Sequence, residues 1–382
     1  MVLTTLTAHS RNVIVTADMD LPALAHVVAD GIVTLTLNVS ESGSSFPPAT
    51  RVFFKDTLAR LKGTHEKTAA RIRKFVENDL RKETNGLFLA AGDSTWHAAE
   101  FAVPLRNFVH VGRSPYVAPL LEVEQRAPRA LVARVHHREA VLQEVQRGVW
   151  RDLDRLEPPA GPARKEGKAV GKTRDRFDQS AERATDAMLR DAAKKLASRA
   201  GTPPPAAVFV VGDRECFTTF REHLPSALGE RTSYLGPSPR QEKDFPRKVA
   251  AELEKQHRDR VERELLALHE RRAQAHLVAT GARETLEHMT SGRAARVFLA
   301  CDDPLPGSRC ETCGQRYAGA EEKCSFCSGR IAPVSLTHEA VAYALAHPPL
   351  AITFVPAPAK WLAEAGGMAA LLAEKSAAPK KR

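Results

Sequence analysis

The sequence feature that most constrains the fold is a basic segment in the middle of the chain, residues 157–180. It contains glycine, proline and six Lys or Arg residues, and only Val170 and Phe177 are sizeable apolar side chains. A segment with so little apolar area cannot form a core and must lie at the surface. A loop of this length in a compact fold is typical of a functional element or of a disordered insertion. The composition therefore leaves two interpretations open: a solvated insertion, or an arm that becomes ordered on a polyanionic partner.

Regular structure is expected on both sides of this basic segment. Leu131–Val135 and Ala140–Trp150 are rich in Val and Leu with polar residues interleaved, which predicts two strands. Ser180–Arg199 has apolar residues near helical spacing and predicts an amphipathic helix, with Asp178 as one N-cap candidate. The continuous apolar run Ala206–Val211 is typical of a strand buried in a parallel sheet. Together these elements predict a layered α/β domain.

Two Cys-x-x-Cys pairs form the sharpest chemical pattern in the chain. Cys310 and Cys313 are followed by a glycine, and ten residues separate Cys313 from the second pair, Cys324 and Cys327. Four thiolates without an open position are typical of a structural zinc site. The pattern predicts a zinc ribbon over residues 302–331 with one zinc per chain, and the alternatives are a relic pair of cysteine motifs or disulfides.

The charge of the chain favours a polyanionic partner. Its 382 residues carry a formal net charge of +10, which is typical of proteins that bind nucleic acid or an anionic membrane surface. No run approaches the ~18 apolar residues of a membrane span, and the first residues lack the pattern of a secretory signal. The Cys-x-x-Cys spacing suits a reducing compartment better than a disulfide framework. We therefore expect a cytoplasmic protein with no membrane partner.

Common enzyme motifs are absent from the sequence or incomplete. Gly167–Thr173 resembles the end of a phosphate-binding loop but has three residues between its glycines, where that motif has four. The patterns GxSxG, HExxH and GxGxxG do not occur. His136 and His137 lie on the predicted strand pair, where a structural role is favoured. Cys216 is expected to be a small buried hydrophobe.

Length and element order predict an α/β protein of three domains. An N-terminal α/β or α+β domain is expected over residues 1–127, and a middle domain with the basic segment over residues 128–240. The third domain, residues 241–382, is expected to begin with the charged helix Arg247–Gln274 and to carry the ribbon. Its last predicted strand is Leu350–Val355, after which only a basic tail is expected.

Short motifs in the second and third domains resemble those of one protein family. QSAER at 179–183 follows the basic segment, and GARETL at 281–286 precedes a glycine and a predicted strand. In this order and spacing the motifs resemble the archaeal and eukaryotic class-1 release factors and Pelota, over about residues 128–382. The first domain lacks the release factors' Asn-Ile-Lys-Ser motif and resembles the N-terminal part of bacterial members, among them a ribosome hibernation factor. The resemblance implies release-factor-like second and third domains, the third with a zinc-ribbon insert.

The resemblance also implies a partner. In that family the loop ends in Gly-Gly-Gln and enters the peptidyl transferase centre of the ribosome. The implied partners are therefore the ribosome, through rRNA at its A site, then tRNA, and a translational GTPase at the third domain. The residues implied in contacts with rRNA or tRNA are Arg164, Lys165, Lys168, Lys172, Arg174, Arg176 and Gln179.

Phe177 and Asp178 stand where the family has its two glycines. Glycine permits backbone conformations closed to other residues, and a carboxylate opposes the negative charge that develops on an ester carbonyl during hydrolysis. We therefore expect a ribosome-binding factor for hibernation, rescue or stalling control that does not release peptide. One alternative is a peptidyl-tRNA hydrolase or a tRNA-cleaving enzyme in which Gln179 orients water. A further alternative is a non-ribosomal RNA-binding protein.

Overall fold

The computed structural model describes most of the chain, in eight stretches. These are residues 20–39, 46–81, 84–159, 172–238, 244–273, 277–301, 304–356 and 360–373. Contacts divide the chain into two compact units, one of residues 1–125 with 257–382 and the other of residues 126–256. Both units combine sheets with helices, which confirms the predicted α/β class. The predicted domain boundaries at 127 and 240 stay predictions.

The first part of the first unit is built around a four-stranded antiparallel sheet in the order β3-β2-β1-β4. Its elements are α1 (Leu21–Ala25), β1 (Ile32–Asn38), α2 (Pro48–Leu61), α3 (Glu66–Lys74), a π-helical turn (Phe75–Asp79), β2 (Gly86–Ala91), β3 (Trp96–Phe101), β4 (Phe108–Gly112) and α4 (Ala118–Arg126). Val33, Leu35 and Leu37 on β1 share one apolar core with residues of α2 and α3. Ile32 belongs to a different core, because successive side chains of a strand point to opposite faces. Strand β1 is therefore buried on both faces.

The second unit contains a five-stranded mixed sheet in the order β7-β6-β5-β8-β9. Its elements are β5 (Ala130–His136), β6 (Glu139–Gln146), β7 (Val149–Leu156), α5 (Lys172–Arg199), β8 (Ala207–Gly212), α6 (Arg214–Glu222), α7 (Ser226–Gly229), β9 (Thr232–Tyr234) and the start of α8 (Asp244–Arg271). Strand β8 pairs in parallel with β5 and with β9. The prediction of a buried parallel strand at Ala206–Val211 is therefore confirmed, since all of β8 is buried.

The prediction of a single strand over Ala140–Trp150 is wrong, because a tight turn divides it. Arg147 and Gly148 have φ values of 52° and 79°, and two successive positive φ values are typical of a type I′ hairpin turn. Asn-Gly or Asp-Gly is the usual sequence signal for such a turn. Arginine at the first position gives no such signal, so the hairpin of β6 and β7 was not predicted.

Helix α5 begins at Lys172, so the prediction that it begins near Ser180 is wrong. The residues from Lys172 to Gln179 include neither glycine nor proline, and Lys, Arg and Gln are good helix formers. Arg174 and Asp178 are four positions apart, a spacing at which opposite charges favour a helix. The end of the predicted loop is therefore helical, and residues 160–171 lie outside the described stretches.

The second part of the first unit holds a four-stranded sheet in the order β10-β16-β11-β15 and a three-stranded ribbon in the order β13-β12-β14. Its elements after α8 are β10 (Val278–Thr280), α9 (Ala282–Thr290), β11 (Ala294–Ala300), β12 (Pro306–Cys310), β13 (Arg316–Tyr317), β14 (Ile331–Ser335), α10 (Leu336–Ala346), β15 (Ala351–Val355), α11 (Lys360–Glu364) and β16 (Met368–Leu372). Helix α10 carries Ala340 and Val341 into the core that also contains Ile32 of β1. One core therefore joins both parts of the first unit.

The expectation that only a tail follows Leu350–Val355 is wrong. Strand β16 follows and lies inside the sheet, antiparallel to β10 and to β11. Its sequence, MAALL, consists of residues with high helix propensity and has no alternation of polar and apolar residues. Pairing with strands on both sides overrides that local preference.

Candidate functional site

The four predicted ligands lie in two turns at one end of the ribbon. The first turn, Cys310 to Gly314, connects β12 to β13. The second turn, Cys324 to Ser328, lies between β13 and β14. In each turn a backbone N–H points at a sulfur, since Cys313 N is 3.5 Å from Cys310 Sγ and Cys327 N is 3.4 Å from Cys324 Sγ. We call these turns the first and the second knuckle.

The four sulfur atoms form one cluster. Cys310 Sγ is 3.5 Å from Cys327 Sγ, and Cys313 Sγ is 3.5 Å from Cys324 Sγ. Ligands of a tetrahedral zinc with Zn–S bonds of about 2.3 Å lie about 3.8 Å apart, so this spacing suits one ion. Cys310 and Cys324 are buried, while Cys313 and Cys327 are exposed. The four cysteines are therefore close enough to hold one metal ion.

Each knuckle has one residue in the left-handed backbone conformation. In the second knuckle this residue is not a glycine. Gly314 has a φ of +76°, as expected from the glycine after the first pair, whereas the second knuckle has Ser328 at a φ of +60°. Gly329 serves a different purpose, because a Cβ there would lie 2.5 Å from Thr312 Oγ1. It allows the two knuckles to approach each other.

The pKa values of the four thiols differ because hydrogen bonds and neighbouring thiols favour some of the thiolates and oppose others. Tyr317 Oη is 3.1 Å from Cys324 Sγ, and this hydrogen bond lowers the pKa of Cys324 to about 6. A backbone hydrogen bond from Gly329 favours the Cys327 thiolate, but the neighbouring Cys313 and Cys310 outweigh it and raise the pKa of Cys327 to about 12. Four thiolates at this spacing repel one another, and a divalent cation would relieve that repulsion.

Two arginines of the ribbon converge on a buried carboxylate of helix α10. Glu339, whose side chain is 7% exposed, lies 2.7 Å from Arg316 Nε and 3.3 Å from Arg309 Nη1. The sequence gives no signal for these pairs, because 23 and 30 positions separate their partners. The ribbon is thus fixed to the α/β part of its unit by charge as well as by its strands.

The predicted nucleic-acid residues are only partly described. Arg164, Lys165 and Lys168 lie outside the described stretches. The other three basic residues lie at the start of helix α5, and their backbone is helical. They are Lys172, Arg174 and Arg176. Gln179, further along the same helix, has an exposed side chain. Helix geometry therefore orders the end of the basic segment, which the loop prediction missed.

The later part of helix α5 is firmly held within its unit. Leu189 and Leu196 belong to the apolar core under the sheet. Lys195 Nζ lies 2.7 Å from Asp154 Oδ1 on β7, which lowers the pKa of Asp154. Thr185 Oγ1 donates a hydrogen bond of 3.0 Å to the carbonyl oxygen of His137. The helix is therefore a fixed support for the exposed residues nearer its beginning.

Residues 129–276, from β5 to just beyond the end of α8, match the family described as bacterial archaeo-eukaryotic release factor family 2. The match covers 148 of the 382 residues of the chain. The family resemblance predicted from the short motifs is confirmed, and the matched release factor segment includes the basic segment and Gln179. The comparison with curated proteins gives no match.

Several solved structures are similar to the release factor segment and its flanks. Pelota from Archaeoglobus fulgidus is 13% identical with a TM-score of 0.35, and the match covers 92% of this chain and 91% of Pelota. Dom34 from S. cerevisiae, a translation termination-like factor, is 7% identical with a TM-score of 0.42, covering 78% and 82%. The archaeal translation termination factor aRF1 is 15% identical with a TM-score of 0.24, covering 92% and 95%.

None of the helices in the described stretches is both long and apolar enough to cross a bilayer.

Proposed function

We propose that this protein is a ribosome-binding translation factor that occupies the A site and places its basic segment toward the peptidyl transferase centre. The observation that carries this proposal is the family match over residues 129–276, which contains the basic segment and Gln179. In this proposal the factor acts in ribosome hibernation, rescue or stalling control, in the cytoplasm.

The charge distribution supports the choice of rRNA as the surface that is bound. Six Lys or Arg residues of the basic segment are opposed by four acidic residues, two of which, Glu166 and Asp175, lie among them. Basic side chains that neutralise phosphates release condensed counterions, which gives affinity without sequence readout. Lys172, Arg174 and Arg176 lie on a helix, so their backbone does not have to be ordered on binding.

The residues before Gln179 argue against peptide release. Phe177 and Asp178 replace two glycines and are consecutive residues of helix α5. A regular helix holds φ near −63°, so this backbone lacks the conformational freedom that a Gly-Gly pair provides. The carboxylate of Asp178 would oppose the oxyanion of a hydrolytic transition state. We therefore propose occupancy of the site without hydrolysis.

We also propose that the ribbon binds zinc and that a translational GTPase binds the second part of the first unit. Four thiolates in two knuckles suit zinc better than magnesium or calcium, which prefer oxygen ligands. A closed site of four sulfurs has no position for substrate, so its role is structural. The translational GTPase rests on the family resemblance.

Two assays with the full-length protein test the proposal. Sedimentation with purified bacterial ribosomes measures binding, and we expect the protein in the ribosome pellet. Release of labelled peptide from a peptidyl-tRNA-loaded ribosome measures hydrolysis, and we expect none above background. Release that depends on Gln179 would instead support a peptidyl-tRNA hydrolase. Failure to sediment would favour the non-ribosomal RNA-binding alternative.

A further inference from the structure

A second group of metal-ligating side chains lies in the second unit, far from the ribbon in sequence. His137 follows the end of β5, Asp213 follows the end of β8, and Cys216 lies in the first turn of α6. Strands β5 and β8 are parallel neighbours, so their carboxyl ends meet at one edge of the sheet. Ligand sites of α/β sheets commonly lie at this edge.

The backbone holds this edge in one arrangement. Gly212 has a φ of +129°, and a Cβ there would lie 1.9 Å from the carbonyl oxygen of Val135. Asp213 N donates a hydrogen bond of 3.0 Å to the same oxygen. The backbone of the turn from β8 to α6 is therefore in close contact with the end of β5. This close approach brings Asp213 beside His137.

The three ligand atoms have a spacing that suits one ion. The ligand atoms of His137, Asp213 and Cys216 all lie within 4.8 Å of one another. His137 Nε2 is 3.9 Å from Asp213 Oδ2. Ligands of a tetrahedral zinc lie about 3.3 to 3.8 Å apart, so small rotamer changes complete the geometry. A set of one nitrogen, one oxygen and one sulfur suits a borderline transition metal and not magnesium or calcium.

Asp213 is oriented toward this group and not toward its own helix. It occupies the N-cap position of α6, yet its side chain makes no capping hydrogen bond. Its Oδ2 instead lies 3.3 Å from His136 Nδ1, and His136 Nε2 lies 2.8 Å from Ser238 Oγ. A carboxylate ligand is commonly held by an outer hydrogen bond of this kind. His136 therefore serves to position Asp213.

The charge around the buried thiol is negative. Cys216 is 2% exposed, its thiol lies within 4.8 Å of the Asp213 carboxylate, and Glu215 precedes it in the chain. The basic residue between Asp213 and Glu215 is Arg214, and its guanidinium lies over the ring of Tyr234, 5.0 Å from the ring centroid. A divalent cation between the thiol and the carboxylate would compensate their charge.

We propose that His137, Asp213 and Cys216 bind one divalent transition-metal ion, such as zinc or cobalt, with an open coordination position that faces solvent. The side chains of His137 and Asp213 are 59% and 43% exposed, so an ion has access to them. Three protein ligands with a fourth position open to water distinguish this site from the closed ribbon. In this proposal His137 has a role beyond the structural one that its place in the sequence favours. Cys216 keeps its place in the core while its thiol serves as a ligand.

Cobalt binding to the full-length protein with zinc in its ribbon tests this site. We expect one Co²⁺ per chain beyond the ribbon's ion, with the near-ultraviolet absorption of a thiolate–cobalt bond. His137→Ala should weaken this binding by roughly 100-fold without unfolding the protein, because the side chain is largely exposed. Cys216→Ala should abolish the absorption. His223→Ala, a change of another histidine in the same unit, is the matched control and should bind as wild type does.

Three results would overturn the proposed metal site. If the wild type binds no cobalt beyond the ribbon's ion, the site does not exist. If the absorption persists in Cys216→Ala, the thiolate–cobalt bond belongs to the ribbon and the proposal is overturned. Binding that is unaffected by His137→Ala would also overturn it. None of these results depends on whether the protein binds ribosomes.

Discussion

Arg316 Nε and Glu339 Oε2 lie 2.7 Å apart and join the ribbon to helix α10. Arg316 is on β13 and its side chain is 16% exposed, while that of Glu339 is 7% exposed. Arg309 on β12 reaches the same carboxylate at 3.3 Å. The ribbon is therefore held in position by a buried ion pair as well as by its strands.

Glu339→Gln should destabilise the protein by about 2 kcal/mol, because it leaves the mostly buried side chain of Arg316 without its counter-charge. Chemical denaturation measures the change. Glu364→Gln is the matched control, since Glu364 pairs with Lys360 at the surface, and surface pairs contribute about 0 to 1 kcal/mol. Equal effects of the two substitutions would contradict the anchoring role of Glu339.

Cys313→Ser should lower the zinc content of the protein by about one ion per chain, because the closed site loses one of its four thiolates. Elemental analysis of the purified protein measures this. Cys301→Ser changes a buried cysteine outside the ribbon and should leave the zinc content unchanged. We expect the rest of the α/β fold to survive the loss, because its sheet has its own apolar core. Wild-type protein that is folded and free of zinc would refute the zinc assignment.

Substitutions at the two left-handed positions of the knuckles should change the affinity for zinc in opposite directions. Gly314→Ala places a Cβ at a φ of +76°, which costs about 1 kcal/mol and should weaken zinc binding about fivefold. Ser328→Gly removes the same strain from the second knuckle and should strengthen binding by a similar factor. Competition with a chelator measures both. Gly319→Ala is the control, because nothing lies within 4 Å of its added Cβ and its φ is not positive, so it should change affinity little.

Stability should fall in mild acid because of His338. Burial lowers the pKa of His338 from 6.5 to about 4, so the folded protein keeps this ring neutral where the unfolded chain protonates it. The unfolded state then binds more protons, and the free energy of unfolding falls as pH decreases from about 6.5 to about 4, by about 3 kcal/mol in total. His338→Gln should remove this part of the pH dependence in denaturation experiments. His347→Gln, at an exposed histidine, should retain it, and an unchanged slope in His338→Gln would contradict the account.

The elements that were predicted correctly have strong local signals. Ala207–Gly212 is a run of apolar residues between turns, and it is a fully buried parallel strand as predicted. The cysteine pairs were identified from spacing alone, because covalent geometry brings residues three apart into one turn. By contrast, Met368–Leu372 has the composition of a helix and becomes a strand only between two partners. Such tertiary preference is not visible in a local window.

The site shows the same division between local and long-range information. The sequence predicted the four thiols of the ribbon, but Glu339 was missed because its arginine partners are far along the chain. A structural role was predicted for His137 because it lies on the predicted strand pair, and for Cys216 because no histidine is near it in the sequence. Gly212, which brings Asp213 beside His137, acts only in the folded sheet.

The most direct test of the proposed function is the affinity for bacterial ribosomes at a series of salt concentrations. The variant replaces Lys172, Arg174 and Arg176 with Ala, a residue that preserves helix α5 because of its high helix propensity. The control replaces Lys255, Arg258 and Arg263, exposed residues of α8, with Ala and changes the net charge equally.

We expect wild type and control to bind alike, with the logarithm of the affinity falling steeply as the logarithm of salt rises. The variant should bind more weakly, with a salt slope smaller by about two to three, as expected for the loss of three phosphate contacts. A variant that binds as tightly as wild type at every salt concentration would contradict the role of the basic segment. Wild-type protein that does not bind ribosomes at any salt concentration would contradict the account as a whole.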